Sequence, residues 1–124
     1  MPALNQALDT SSNDYQILLK TIYSQAYGET EAVQRAIAWL IKNRVDQWGG
    51  TIAGVCRAAG QFDCWEGQDD IDMEDAEVRE GIERWLPTVY ESPDPTQGAT
   101  FYNNLDKEDW PSVEIDGKLF HRKE

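Results

Sequence analysis

Residues 31–48, EAVQRAIAWLIKNRVDQW, constrain the fold more than any other stretch of the chain. Val33, Ile37, Leu40, Ile41, Arg44 or Val45, and Trp48 recur at the spacing of one helical face. Thr30 precedes the run as a cap, Glu31 stands in the electropositive first turn, and Gly49-Gly50 stops it. A helix apolar over so wide a face needs neighbours on several sides. It is expected to run through the centre of the core.

Its neighbours can be read on either side. Ser12 or Asn13 caps a helix from about Asp14 to Ala26, with Leu18, Leu19, Ile22, Tyr23 and Ala26 on one face. Tyr27-Gly28 ends that helix. Thr51 caps a short helix through Ala58, which Gly60 ends. Val78, Ile82, Trp85, Leu86 and Val89 hold helical spacing after an acidic run, and Pro87 limits or kinks that helix. Further on, ATFYNN reads as a short strand. SVEIDGKLFHR alternates around Asp116-Gly117, a two-residue hairpin signal. The expected class is α+β, mainly helical with a small C-terminal antiparallel sheet. The expected organisation is a flexible segment over 1–14 and one domain over 15–124.

Charge narrows the partners. The 124 residues carry a net charge of −12, which repels nucleic-acid phosphates and anionic lipid. Neither nucleic acid nor membrane is an expected partner, and no apolar run approaches the roughly 20 residues that cross a bilayer. The acidic run over 66–77 reads as a solvated face and helix start, and lacks the ligand spacing of a calcium loop. Cys56 and Cys64 are too few for a zinc cluster; pairing and two free core thiols are equally open. The first fifteen residues lack the basic start and apolar stretch of a secretory leader, so the chain stays where it is made, leaves by another route, or has had a leader removed.

Four segments are rich in amides, hydroxyls and aromatic rings: Gln25 to Glu29, Gly60-Gln61-Phe62, Asp94 to Thr96, and Thr100 to Asn104. Such groups suit a sugar chain, which offers hydroxyls to bond and flat CH faces to stack. They equally suit satisfied turns and a packed core.

Order and spacing add to this. IYSQAYGE at 22–29, IKNRV at 41–45, TIAGV at 51–55, GQFDCW at 60–65, DPTQGATFYNN at 94–104, Trp110 and IDGKLFHR at 115–122 resemble the SleB/CwlJ type of cell wall hydrolase. The resemblance spans about residues 15–122. It implies a lysozyme-like catalytic core that cuts peptidoglycan between N-acetylmuramic acid and N-acetylglucosamine, by hydrolysis or lytic transglycosylation. It implies no metal or organic cofactor, and glycan strands as the partner. Delivery would then be by phage lysis or by injection into a rival's periplasm. By the same resemblance Gln61, Phe62, Thr100, Tyr102 and Asn103 line the glycan cleft. Relatives often carry a histidine in the last hairpin; here Lys118 stands there and the lone histidine follows as His121, read as a surface residue.

Glycoside cleavage needs a carboxylic acid held protonated, which donates to a poor leaving group. In the pattern I-Y-x-E-A-x-G-E that acid is the first glutamate, and here the position is Gln25. An amide can bond a glycosidic oxygen but cannot hand over a proton. Losing a general acid removes on the order of 10²–10⁴ in rate. The chain as written is therefore expected to be an impaired catalyst that still binds glycan. Glu→Gln is the least disruptive inactivating exchange, and the intact remainder of the pattern favours an introduced change over a lapsed enzyme. Glu29, near the start of the next helix, suits a base or electrostatic stabiliser better than a donor. Two other readings stand beside this one. One is a non-catalytic wall-binding domain, and the other is an acidic interaction domain whose partner is an immunity or inhibitor protein.

Overall fold

The computed structural model describes residues 7–58, 60–103 and 105–123; residues 1–6 of the N-terminal segment and Asn104 of the fourth polar segment lie outside these. Four helices precede a three-stranded sheet. They are α1 (Asn13–Gln25), α2 (Glu31–Trp48), α3 (Ile52–Arg57) and α4 (Ala76–Glu83). The strands are β1 (Phe101–Tyr102), β2 (Ser112–Ile115) and β3 (Lys118–His121), all antiparallel in the order β1-β3-β2. The chain is α+β.

α2 is the central helix that its pattern predicts. Val33, Ala36, Ile37, Ala38, Leu40 and Ile41 on α2 are all buried. Ile17, Leu18, Leu19 and Ile22 of α1 join them, with Ile82, Leu86, Val89 and Phe120. Ser12, Thr30, Thr51 and Asp75 cap the four helices, each accepting from the backbone N–H three residues on. Each satisfies one of the orphan donors of a helix start. Asn13 and Asp14 open α1, and the Leu8 N–H donates to the Pro87 carbonyl at 2.8 Å.

The helical spacing over 78–89 is not one helix. α4 stops at Glu83, and a separate 3-10 segment covers Leu86–Glu91 with Pro87 in its first turn. Proline has no N–H to continue the ladder, so the apolar face carries on while the helix does not. The acidic run ends at the α4 cap: Asp75 also accepts from the Tyr27 hydroxyl at 2.7 Å. Cys56 and Cys64 are both free thiols, and burial pushes the Cys56 thiol up to about 12.

Asp116 and Gly117 form the hairpin turn with φ of 46° and 88°. Positive φ at both central residues is the turn whose twist matches paired strands. The hairpin folds back onto the α1–α2 junction. Thr30 donates to Asp116 at 2.7 Å, and Lys118 lies 3.4 Å from Glu29.

Candidate active site

Gln25 is the last residue of α1. The helix ends there because Ala26 leaves helical geometry and Gly28 takes a φ of 80°. The Gln25 amide donates to the Tyr102 hydroxyl at 2.5 Å, across 77 residues of sequence. Tyr102 is held from behind by Phe120, its partner in the sheet, with rings stacked 5.6 Å apart. Burial raises the Tyr102 phenol above its usual value, and the bond from Gln25 pulls the other way. The phenol stays neutral and keeps its own proton to donate.

Glu29 sits just before Thr30, the cap of α2, half-buried and ion-paired with Lys118. The two seats differ electrically. Position 25 is at the negative end of α1, whose last turn has no basic side chain. A carboxyl there would be favoured in its neutral form. Position 29 is at the positive end of α2, and its side chain pairs with Lys118.

The Gly60–Trp65 loop is tied to α1. The Trp65 indole donates to Thr21 at 2.9 Å, and the Cys64 thiol bonds Ser24, the neighbour of Gln25. Gln61 is half-exposed beside this anchor, whereas Phe62 is only 2% exposed. Thr100 is 1% exposed; its N–H donates to His121 and its carbonyl accepts from Arg44. Both were placed among glycan contacts by resemblance, yet neither side chain presents surface to a ligand. Asn103 is exposed with a φ of 46°, and its side chain accepts from the Leu119 N–H at 2.9 Å. It extends the pairing of β1 with β3.

Two residues of α2 to which the sequence alone assigns no site role are anchors. Arg44 lies inside the core with its guanidinium 5.1 Å from Trp48, 5.1 Å from Phe62 and 5.0 Å from Phe101. Its Nε donates to the Thr100 carbonyl at 2.7 Å, and desolvation lowers it to about 10. Asn43 donates to Asp94 at 2.9 Å and to the Ala99 carbonyl at 3.0 Å. Asp94 in turn accepts from Thr96 and Gly98. The polar segment Asp94 to Thr96 is thus an internal clamp, with Thr96 buried, and not an exposed binding loop. His121 also departs from expectation: it is buried on β3, not at the surface. The signal for Arg44 was its place on the apolar face of α2, where a charge must find compensation.

α2 therefore pins two loops and a strand. Asn43 holds 94–99, and Arg44 holds Phe62 and the strand carrying Tyr102. The end of α1 thus meets the sheet through the Gln25 amide and the Tyr102 phenol, and the Glu29 carboxylate follows at the α1–α2 junction, paired with Lys118. The family model of the cell wall hydrolases matches residues 28–120, well over half of the chain, and the chain belongs to that family, of SleB type. No curated protein and no solved structure matches it. The matched span covers Glu29, Gln61, Phe62, Thr100, Tyr102 and Asn103 and begins three residues after Gln25. A cell wall hydrolase acts on peptidoglycan.

Proposed function

We propose that this chain binds peptidoglycan glycan strands across the Gln25–Tyr102 pair, in a lysozyme-like site that cuts between N-acetylmuramic acid and N-acetylglucosamine. The observation that carries the reading is the Gln25–Tyr102 contact. It joins the end of α1 to the sheet at the position where the family pattern carries its glutamate. A glutamate there would have its neutral form favoured by the helix C-terminus and could donate to the leaving oxygen. As the proton left, the Tyr102 hydroxyl would stabilise the new carboxylate. The same carboxylate could then take the proton of an attacking water, or of the sugar's own 6-hydroxyl, which distinguishes hydrolase from transglycosylase. Glu29 is the negative partner for the positive charge that develops on the sugar.

With Gln25 in place the donor step is missing and binding remains. That favours a second reading, a wall-binding domain that does not turn over. Phe62 and Thr100 support the groove from beneath, while Gln61, Tyr102 and Asn103 face the strand.

Co-sedimentation with purified sacculi tests the binding half. The chain is expected in the pellet, and Tyr102→Ala should weaken retention by about tenfold, the scale of one lost hydrogen bond with its contact area. Absence from the pellet, together with capture of a tight protein partner, would replace both readings with that of an interaction domain.

A further inference from the structure

A concavity lies beside Gln61. It has a volume of about 320 Å³ and is walled by Trp48, Gly49, Gly50, Thr51, Gly54 and Gln61. None of its lining residues is ionisable, in a chain where 27% of residues are charged. A charged ligand would find no counter-charge there, so the occupant is neutral.

Trp48 is its defining wall. The indole is 47% exposed although it is large and apolar. It is also fixed in place. Arg44 lies 5.1 Å from its ring, and Phe101 packs at 5.9 Å. An aromatic surface held this way loses little freedom when a ligand covers it. The remaining walls are glycine backbone, the apolar Val55 and Ala58, the Thr51 hydroxyl and the Gln61 amide. Thr51 accepts from the Gly54 N–H at 3.0 Å, which leaves its own proton to donate. The volume is at the low end of the roughly 300–1,000 Å³ of small-molecule pockets, enough for one ring.

The pocket adjoins residues of the candidate site. Gln61, a proposed glycan contact, lines it, and Trp48 packs on Phe101, the neighbour of Tyr102. We infer that this pocket is a subsite for one uncharged 2-acetamido sugar of the strand, an N-acetylglucosamine-type ring stacked on Trp48 with its polar edge on Gln61 and Thr51. A muramic unit is excluded because its lactyl carboxyl or attached peptide needs either a counter-charge or more room. The inference rests on the glycan-binding reading above.

The test uses chitotetraose, an uncharged probe, titrated calorimetrically into the chain and followed by the amide and indole proton–nitrogen spectrum. The unmodified chain should bind, with the Trp48 indole signal among the largest shifts. Trp48→Ala should weaken binding at least tenfold, and Trp48→Phe should recover most of that loss. Ala58→Trp fills the pocket from its exposed rim and leaves Trp48 and Arg44 unsubstituted, and should also weaken binding at least tenfold. Unchanged affinity in both Trp48→Ala and Ala58→Trp would overturn the subsite and leave the glycan reading standing. Failure of the unmodified chain to bind chitotetraose while it pellets with sacculi would likewise overturn the subsite. Failure of both assays would overturn the subsite and the glycan reading together.

Discussion

Arg44 shows how one buried charge organises this molecule. A guanidinium removed from water is costly unless something replaces its solvation. Here three ring faces and the Thr100 carbonyl do so, and Nη1 has no hydrogen-bond partner among the described residues. Arg44→Ala loses the stacking, leaves that carbonyl unpaired and opens a cavity. It should destabilise the fold by about 3–5 kcal/mol, read as a fall in urea midpoint at unchanged slope. Arg44→Lys should recover less than half of this, since an ammonium is not planar and cannot face three rings. A stable Arg44→Ala protein would mean the cage is incidental. His121 gives a pH signature. Burial lowers its pKa, opposed more weakly by Glu108, so the unfolded chain takes up a proton near pH 6.5 that the folded chain refuses until lower pH. The unfolded state then holds more protons, and stability falls as pH drops below about 6.5. Asp9, Asp70 and Asp75, whose carboxyls are lowered by hydrogen bonds, titrate below 3.8 and leave that window clear. Melting temperature followed from about pH 7.5 to about pH 5 should fall for the unmodified chain and stay flatter in His121→Gln. Equal slopes would assign the effect elsewhere.

At the scale of elements, α2 is a spine whose last turns hold the loops of the site. Asn43 is the hinge pin for residues 94–99. Asn43→Ala leaves the Ala99 carbonyl without this donor inside the protein, at a cost of roughly 1–3 kcal/mol. Amide exchange at Gly98 and Ala99 should speed up while exchange in α1 is unaffected. If exchange slows nowhere and quickens nowhere, the clamp does not hold the loop. The helices and the hairpin were legible because their signals are local: apolar spacing on α1 and α2, caps at Ser12, Thr30 and Thr51, and Asp116-Gly117 at the turn. The break of α4 before Pro87 was legible in kind but not in place, because the apolar face continues through the following 3-10 turn. What was not legible was burial set by distant partners. Thr96, Thr100, Phe62 and His121 are polar or aromatic residues in turn-rich segments, and only the packing of α2 against the sheet puts them inside. The Gln25–Tyr102 pair depends on the same packing. Family resemblance named both residues, but no local pattern showed that they touch.

On the whole-molecule scale the net charge of −12 opposes a wall that is itself often anionic. Exposed charges are screened beyond a Debye length of about 10 Å at 0.1 M salt. Retention on sacculi should therefore rise as salt is added, and a fall would show that binding rests on ion pairs. No helix among the described residues is long and apolar enough to cross a membrane. The uncharged Trp48 pocket next to an acidic exterior fits the same picture, with contact made by stacking and hydrogen bonds.

The central claim is that Gln25 occupies the seat of a general acid. The direct measurement is mass spectrometry of the soluble fragments released from sacculi, for this chain beside Gln25→Glu. The account predicts that the glutamate form releases fragments on the order of 10²–10⁴ times faster, with anhydro or reducing muramic ends that name the reaction. Equal release by both forms would contradict it and move the chemistry to Glu29 or another acid.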